Sequence, residues 1–279
     1  MPAISNIKSD NQYYGKYFEI ATVAKINNEK ENPNPKNYDD IKDYDFTENE
    51  IEQLNKDAQI LANYIGKNHT AKRVGNHTVS GIGDIIIDDN IKTEIKRVSA
   101  GTGTYHNTSV YYFTSFGFDF KKYMEKFKLR ETIEKYFPDI PVSYSNNSPV
   151  NQTNSSKIRH STQFGYKEIK QIDEKMRMEF VQDLVNFFRN NPEKAQIFYK
   201  DMVNKQKISQ QKESVVDRFI VFNYNKQSIM EISLDTIKSN PINTIYVNDF
   251  GFCIGSLRIQ IGWQNGNGLN NPTIRVFLK

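Results

Sequence analysis

Thr47-Glu48-Asn49-Glu50 sets a capping box at the head of Ile51, Leu54, Ala58, Leu61, Ala62 and Ile65, apolar residues spaced for one helical face, and Gly66 closes the run. Three strand-like pieces follow in quick succession: Lys72 to Val79, Asp84 to Ile87, and Ile91 to Val98, the last two joined by Asp88-Asp89-Asn90. A capped helix feeding a β-meander commits the chain to helices laid on a sheet. Upstream, Tyr13 to Ile26 reads as another helix with a broad apolar stripe, and Glu19 is its only acid.

The segment 27 to 46 is rich in Asn, Lys, Asp and Pro and has no period, so it reads as a solvated connection. Residues 121 to 137 are amphipathic, and the Ser/Asn-rich tract 142 to 163 reads as a long loop. Ile169, Ile172, Met176, Phe180, Leu184 and Phe187 then mark a long helix that ends at Asn190-Asn191-Pro192, followed by a shorter one to about Lys205. Strands are expected at Arg218 to Tyr224, Ser228 to Leu234, Thr244 to Val247, Leu257 to Trp263 and Thr273 to Leu278. The expected fold class is α/β, one compact domain with insertions around a mixed central β-sheet flanked by helices.

Composition narrows the class further. With 37% hydrophobic and 25% charged residues among 279, the chain can bury a core and is not a disordered polymer. A net charge of +4, from 37 basic and 33 acidic residues, permits a polyanionic partner without demanding one. The single cysteine, Cys253, excludes an internal disulfide framework and fits a reducing compartment. No run approaches the ~18 apolar residues of a membrane span, and the first residues carry no apolar signal core, so the expectation is a cytoplasmic protein without membrane association.

The chemistry concentrates in Ile91 to Val98. Side chains alternate along a strand, so Lys92, Glu94 and Lys96 share one side while Ile91, Thr93, Ile95 and Arg97 share the other. Asp84, after Gly81-Ile82-Gly83, opens the neighbouring strand, and the turn at 88 to 90 brings that strand beside Glu94 and Lys96. Two carboxylates and an amine at one point suit one or two hard divalent cations and a nucleophilic water. Mg²⁺ takes few protein carboxylates and leaves positions for water and phosphate, and the lysine can orient or deprotonate the water.

Gly83-Asp84 leading an apolar strand, a turn, and then Glu94-Ile95-Lys96 resembles the core motif of the PD-(D/E)XK nuclease superfamily, which includes most type II restriction endonucleases. A glycine stands here where the pattern nominally has proline. Gly15-Lys16-Tyr17-Phe18-Glu19 resembles the helical glutamate that many such nucleases place near the metals, and Ser99 to Ser109 resembles the polar loop after the lysine strand. The resemblance covers residues 13 to 110. It implies a restriction-endonuclease-like core and a Mg²⁺-dependent, site-specific endonuclease of double-stranded DNA, with Asp84, Glu94 and the Ile95 carbonyl on the metal, Lys96 serving the water and Glu19 in support. It further implies a homodimer, with a cognate DNA methyltransferase as genomic neighbour. In this reading residues 1–140 are the catalytic core, 141–165 the low-complexity loop, and 166–279 the rest of the sheet with recognition and dimerisation elements. A structure-selective repair or junction nuclease on the same core and a non-catalytic DNA-binding protein are the rivals.

Ser99, Thr102, Thr104 and Asn107 lie in the loop after the lysine strand, which either donates to a DNA phosphate or is simply flexible; the Walker spacing is missing, so it is no nucleotide loop. Arg258, Gln264, Asn265, Asn267 and Arg275 surround a Gly-rich turn, which is either a hairpin loop or a base-reading one. The four histidines lack metal-ligand spacing, Cys253 reads as a buried small hydrophobe, and Tyr111 to Phe120 read first as core.

Overall fold

Thr47 caps its helix in the expected way, its side chain accepting from the Glu50 N–H while the Glu50 carboxylate accepts from the Thr47 N–H. This holds in a computed structural model that describes residues 10–66, 68–74, 83–136, 138, 164–204, 216–239, 242–249, 251–262 and 273–279. The protein is a mixed α/β chain with two five-stranded sheets. Contacts divide it into two compact units, Met1–Gly103 with Glu213–Thr236, and Thr104–Lys212 with Ile237–Lys279.

In the first unit, α1 (Asp10–Ile26) packs on α2 (Glu48–Ile65), and both lie against a sheet in the order β1 (Ala71–Arg73), β2 (Ile85–Ile87), β3 (Ile91–Val98), β5 (Arg218–Asn223), β6 (Ser228–Ile232). The strands β1, β2 and β3 form an antiparallel meander and β3 runs parallel to β5; of the first strand expected at Lys72 to Val79, β1 ends at Arg73 and residues 75–79 lie outside the described residues. Ile85, Ile87, Ile95, Ile220 and Phe222 meet Phe18, Ala21, Leu54, Ala58 and Leu61 in one core. The 27 to 46 connection is less solvated than its composition implies, since Ile41 is buried and the Tyr17 hydroxyl donates to the Pro33 carbonyl at 2.8 Å.

The second unit holds β4 (His106–Ser109), α3 (Phe120–Lys126), α4 (Leu129–Tyr136), α5 (Phe164–Asn190) and α6 (Pro192–Val203), then β7 (Ile245–Asn248), β8 (Gly251–Ile254), β9 (Leu257–Gly262) and β10 (Thr273–Leu278). A short helix α7 (Leu234–Ser239) spans the change between units. The strand order is β4-β10-β9-β8-β7, all antiparallel. Its core is aromatic: Phe198 stacks on Phe113 and Phe188 with ring centroids 5.4 and 5.1 Å away.

Four expectations change. The last-third strands do not all continue one central sheet, because β5 and β6 join β3 whereas β7 to β10 join β4. Strand β4 lay hidden in a polar loop because a four-residue His-Asn-Thr-Ser run has no apolar alternation to announce it. The 121 to 137 stretch is two helices, broken at Phe127 and Lys128, the latter in the left-handed region at φ 52°. The strand β8 carries no sequence signal, since all four of its residues are buried and no alternation marks it. The tract 141–165 lies outside the described residues apart from the start of α5. Among the described residues no helix is long and apolar enough to cross a membrane.

Candidate active site on the first sheet

The β2–β3 register pairs Ile85 with Thr93, and one step further along the hairpin Asp84 comes opposite Glu94. The Asp84 N–H donates to the Thr93 carbonyl at 2.9 Å, which holds the strand entrance against β3. Residues opposite one another on paired strands share a face, so Asp84, Glu94 and Lys96 project together. Gly83 makes this approach possible. Its φ is +86°, and a Cβ there would stand 2.8 Å from the Thr93 carbonyl oxygen. Proline, with φ held near −65°, cannot take that conformation, which explains why glycine precedes the aspartate in this chain.

Lys96 joins the two acids. Its Nζ lies 3.2 Å from Asp84 Oδ2 and 2.6 Å from Glu94 Oε1. Asp84 Oδ2 also accepts from the Ile95 N–H at 2.9 Å, so the carboxylate is aimed by backbone as well as by charge. Glu94 is 6% exposed. Burial opposes the charge on Lys96, but Asp84, Glu94 and then Glu19 outweigh it and raise the lysine above its ordinary range, so Lys96 stands here as an ammonium. Gly103 closes over its stem: a Cβ there would lie 3.6 Å from Lys96 Cβ and 3.1 Å from Val98 Cγ1.

Glu19 comes to this charge cluster from α1. Burial, reinforced by the negative charge of Asp84, pushes its carboxyl up to about 8 against the pull of Arg73 and Lys96. What holds Glu19 was not foreseen: Arg73 on β1 donates its Nε–H to Glu19 Oε2 at 3.0 Å. The same guanidinium forks onto Asp40, at 3.2 and 2.8 Å, and Lys16 stands 3.7 Å from Asp40. Arg73 sits in a three-residue strand and Asp40 in a stretch without period, so neither carried a signal beyond being charged. On the other face of β3, Arg97 lies over the Tyr224 ring at 4.1 Å and pairs with the fully buried Asp57 at 2.7 Å.

The remaining expected residues scatter. The Ile95 side chain belongs to the core. Ser99 offers its carbonyl to Asn225 at 3.3 Å, and Thr102 is half-buried with its hydroxyl 3.5 Å from the Gly103 carbonyl. Thr104 begins the second unit, where Asn107, Arg258 and Arg275 lie on β4, β9 and β10. Gln264, Asn265 and Asn267 lie outside the described residues.

A hard divalent cation fits the donors at the head of β2 and on β3. Their two carboxylates already converge on one cation, the Lys96 ammonium, and all the donor atoms are oxygens. Among the described residues no three of His, Cys, Asp and Glu gather into a metal-holding group. The pair thus suits an ion that takes one or two carboxylates and completes its shell with water and substrate oxygen. Comparison with protein-family models, with curated proteins and with solved structures finds no match for this chain.

Proposed function

We propose that the chain is a Mg²⁺-dependent endonuclease of double-stranded DNA, of the type II restriction class, acting in the cytoplasm as a homodimer. The observation that carries this reading is the convergence of the Asp84 and Glu94 carboxylates on Lys96 Nζ beside a Glu19 hydrogen-bonded by Arg73. In this reading β1, β2, β3 and β5 with α1 and α2 form a restriction-endonuclease-like core. Asp84, Glu94 and the Ile95 carbonyl are the groups that hold Mg²⁺. Bound there, the ion supplies positive charge at the scissile phosphate and lowers the pKa of water.

The protein's own groups do the rest. Lys96 enters as a hydrogen-bond donor and positive charge, orienting the attacking water and offsetting charge that builds on the phosphorus oxygens. The water oxygen bonds to phosphorus as the bond to the 3′ oxygen breaks, leaving a 5′-phosphate and a 3′-hydroxyl. Glu19, held by Arg73, adds a carboxyl group close enough to feel the charges of Asp84 and Lys96.

The test is digestion of a long, defined duplex with Mg²⁺ and with EDTA. Discrete fragments that vanish in EDTA are expected. A smear or nicking confined to branched DNA moves the reading to a repair or junction nuclease, and intact DNA in both conditions removes the catalytic assignment.

A further inference from the structure

Strand β10 lies between β4 and β9, and its registers set Arg275 directly opposite both Asn107 and Gln260. Directly opposed residues of antiparallel strands project from the same face. Asn107, Arg275 and Gln260 therefore form one row across three strands, although Asn107 is far from the other two in sequence. One step along the sheet Phe277 pairs with Arg258, whose guanidinium carbon lies 4.1 Å over the Phe277 ring. The alternate positions, Ile259, Ile261, Ile274 and Val276, are at most 1% exposed and belong to the core. This places the arginine face on the side turned away from that core. None of the positions sharing this face on β4, β9 and β10 is Asp or Glu.

We propose that this face of the second sheet is a docking surface for a nucleic-acid phosphate backbone, with Arg258 and Arg275 as its charged contacts and Asn107 and Gln260 as neutral hydrogen-bonding neighbours. The proposal rests on the reading that the substrate is DNA, and names which part of the chain carries its sequence-independent affinity. Guanidinium is planar, always charged and matched to phosphate oxygens. The Arg258 guanidinium carbon is held 4.1 Å over the Phe277 ring, a cation–π contact that leaves its charge in place. Strand positions that carry arginine and no Asp or Glu favour a polyanion. The face is carried by three adjacent strands of a five-stranded sheet, whereas the major groove admits a helix or a two-stranded ribbon, so contact with the backbone is favoured over base edges.

The experiment measures duplex binding by fluorescence anisotropy across a KCl series, with Ca²⁺ in place of Mg²⁺, for the full chain and its variants. Arg258→Ala and Arg275→Ala should each reduce the slope of log affinity against log salt by about 0.9, and together by about twice that. Gln260→Ala should weaken binding with the slope intact, because it removes no charge. Arg275→Lys keeps the charge and should keep the slope, so a loss caused by misfolding in the alanine variant is recognised. Lys42→Ala, an exposed lysine of the first unit paired with Asp39, is the control and should change nothing. An unchanged slope in the folded double variant overturns the proposal. Slope loss in a chain that does not cleave with Mg²⁺ supports this surface while removing the catalytic reading, and a wild type that neither binds nor cleaves overturns both.

Discussion

The two units of this protein bury different things. The first encloses charge: Asp57 is fully buried against Arg97, Arg73 is shared between Glu19 and Asp40, and Lys96 bridges Asp84 and Glu94. The second encloses rings. Phe113, Phe120, Phe180, Phe188, Phe198 and Phe252 are all inaccessible to solvent, and the buried Asp173, paired with Arg177 at 2.6 Å, is the main charged exception among the described residues. Aromatic burial is favourable wherever shape permits, whereas each buried charge costs desolvation and persists only with a geometrically exact partner. Clustered charges of this kind are a poor route to stability and a common sign of chemistry. The difference supports placing catalysis in the first unit and gives the second unit's core a structural task.

The sharpest way to break that division is at the carboxylates. Asp84→Ala and Glu94→Ala should each reduce Mg²⁺-dependent cleavage to background with the circular-dichroism spectrum retained, since each removes a hard oxygen donor. Cleavage surviving in either variant would move the chemistry off the first sheet.

A second comparison sets one buried pair against one buried ring. Asp57→Ala strands Arg97 and should cost about 3–5 kcal/mol in urea unfolding. Phe198→Ala, at the centre of the aromatic cluster, should cost a similar 3–5 kcal/mol or so. The distinguishing readout is rescue. Combining Asp57→Leu with Arg97→Met should recover much of the loss, because an ion pair can be exchanged for apolar packing, while cleavage per folded molecule should be unchanged in Phe198→Ala. No recovery in the double variant would show that the first unit depends on that charge pair itself.

The smallest expected effect is on pH dependence. Burial raises the Asp40 carboxyl, but the hydrogen bonds and charge of Arg73, with Lys16, outweigh it and hold the group below its usual range. A depressed carboxyl contributes stability that is present above its unfolded pKa of about 3.9 and is lost as pH falls through the folded value. Asp40→Asn should therefore lower the melting temperature at neutral pH and converge with wild type in more acid solution. A difference that stays constant down the pH scale would remove Asp40 from the charge network.

Much of the first sheet is legible in the sequence. The capping box, the Gly66 stop and the hairpin of β2 and β3 appear where expected, because caps and hairpins depend on hydrogen bonds spanning a few residues. The common face of Glu94 and Lys96 follows from the period of a strand, and a tight turn suffices to bring Asp84 beside them. Gly83 is intermediate: its identity could be read, but only the contact with the Thr93 carbonyl shows why proline is excluded.

What the tertiary structure alone decided are the pairings between distant segments. Arg73 finds Glu19 and Asp40 across 54 and 33 residues, and β3 lies beside β5 with most of the second unit's chain between them. Asn107 reaches the row of Arg275 and Gln260 in the same manner. Local sequence sets which way a side chain points along its own strand, since that depends on backbone geometry alone. Which strand lies next to it depends on which long loops close and which apolar faces meet, and those are properties of the whole folded chain.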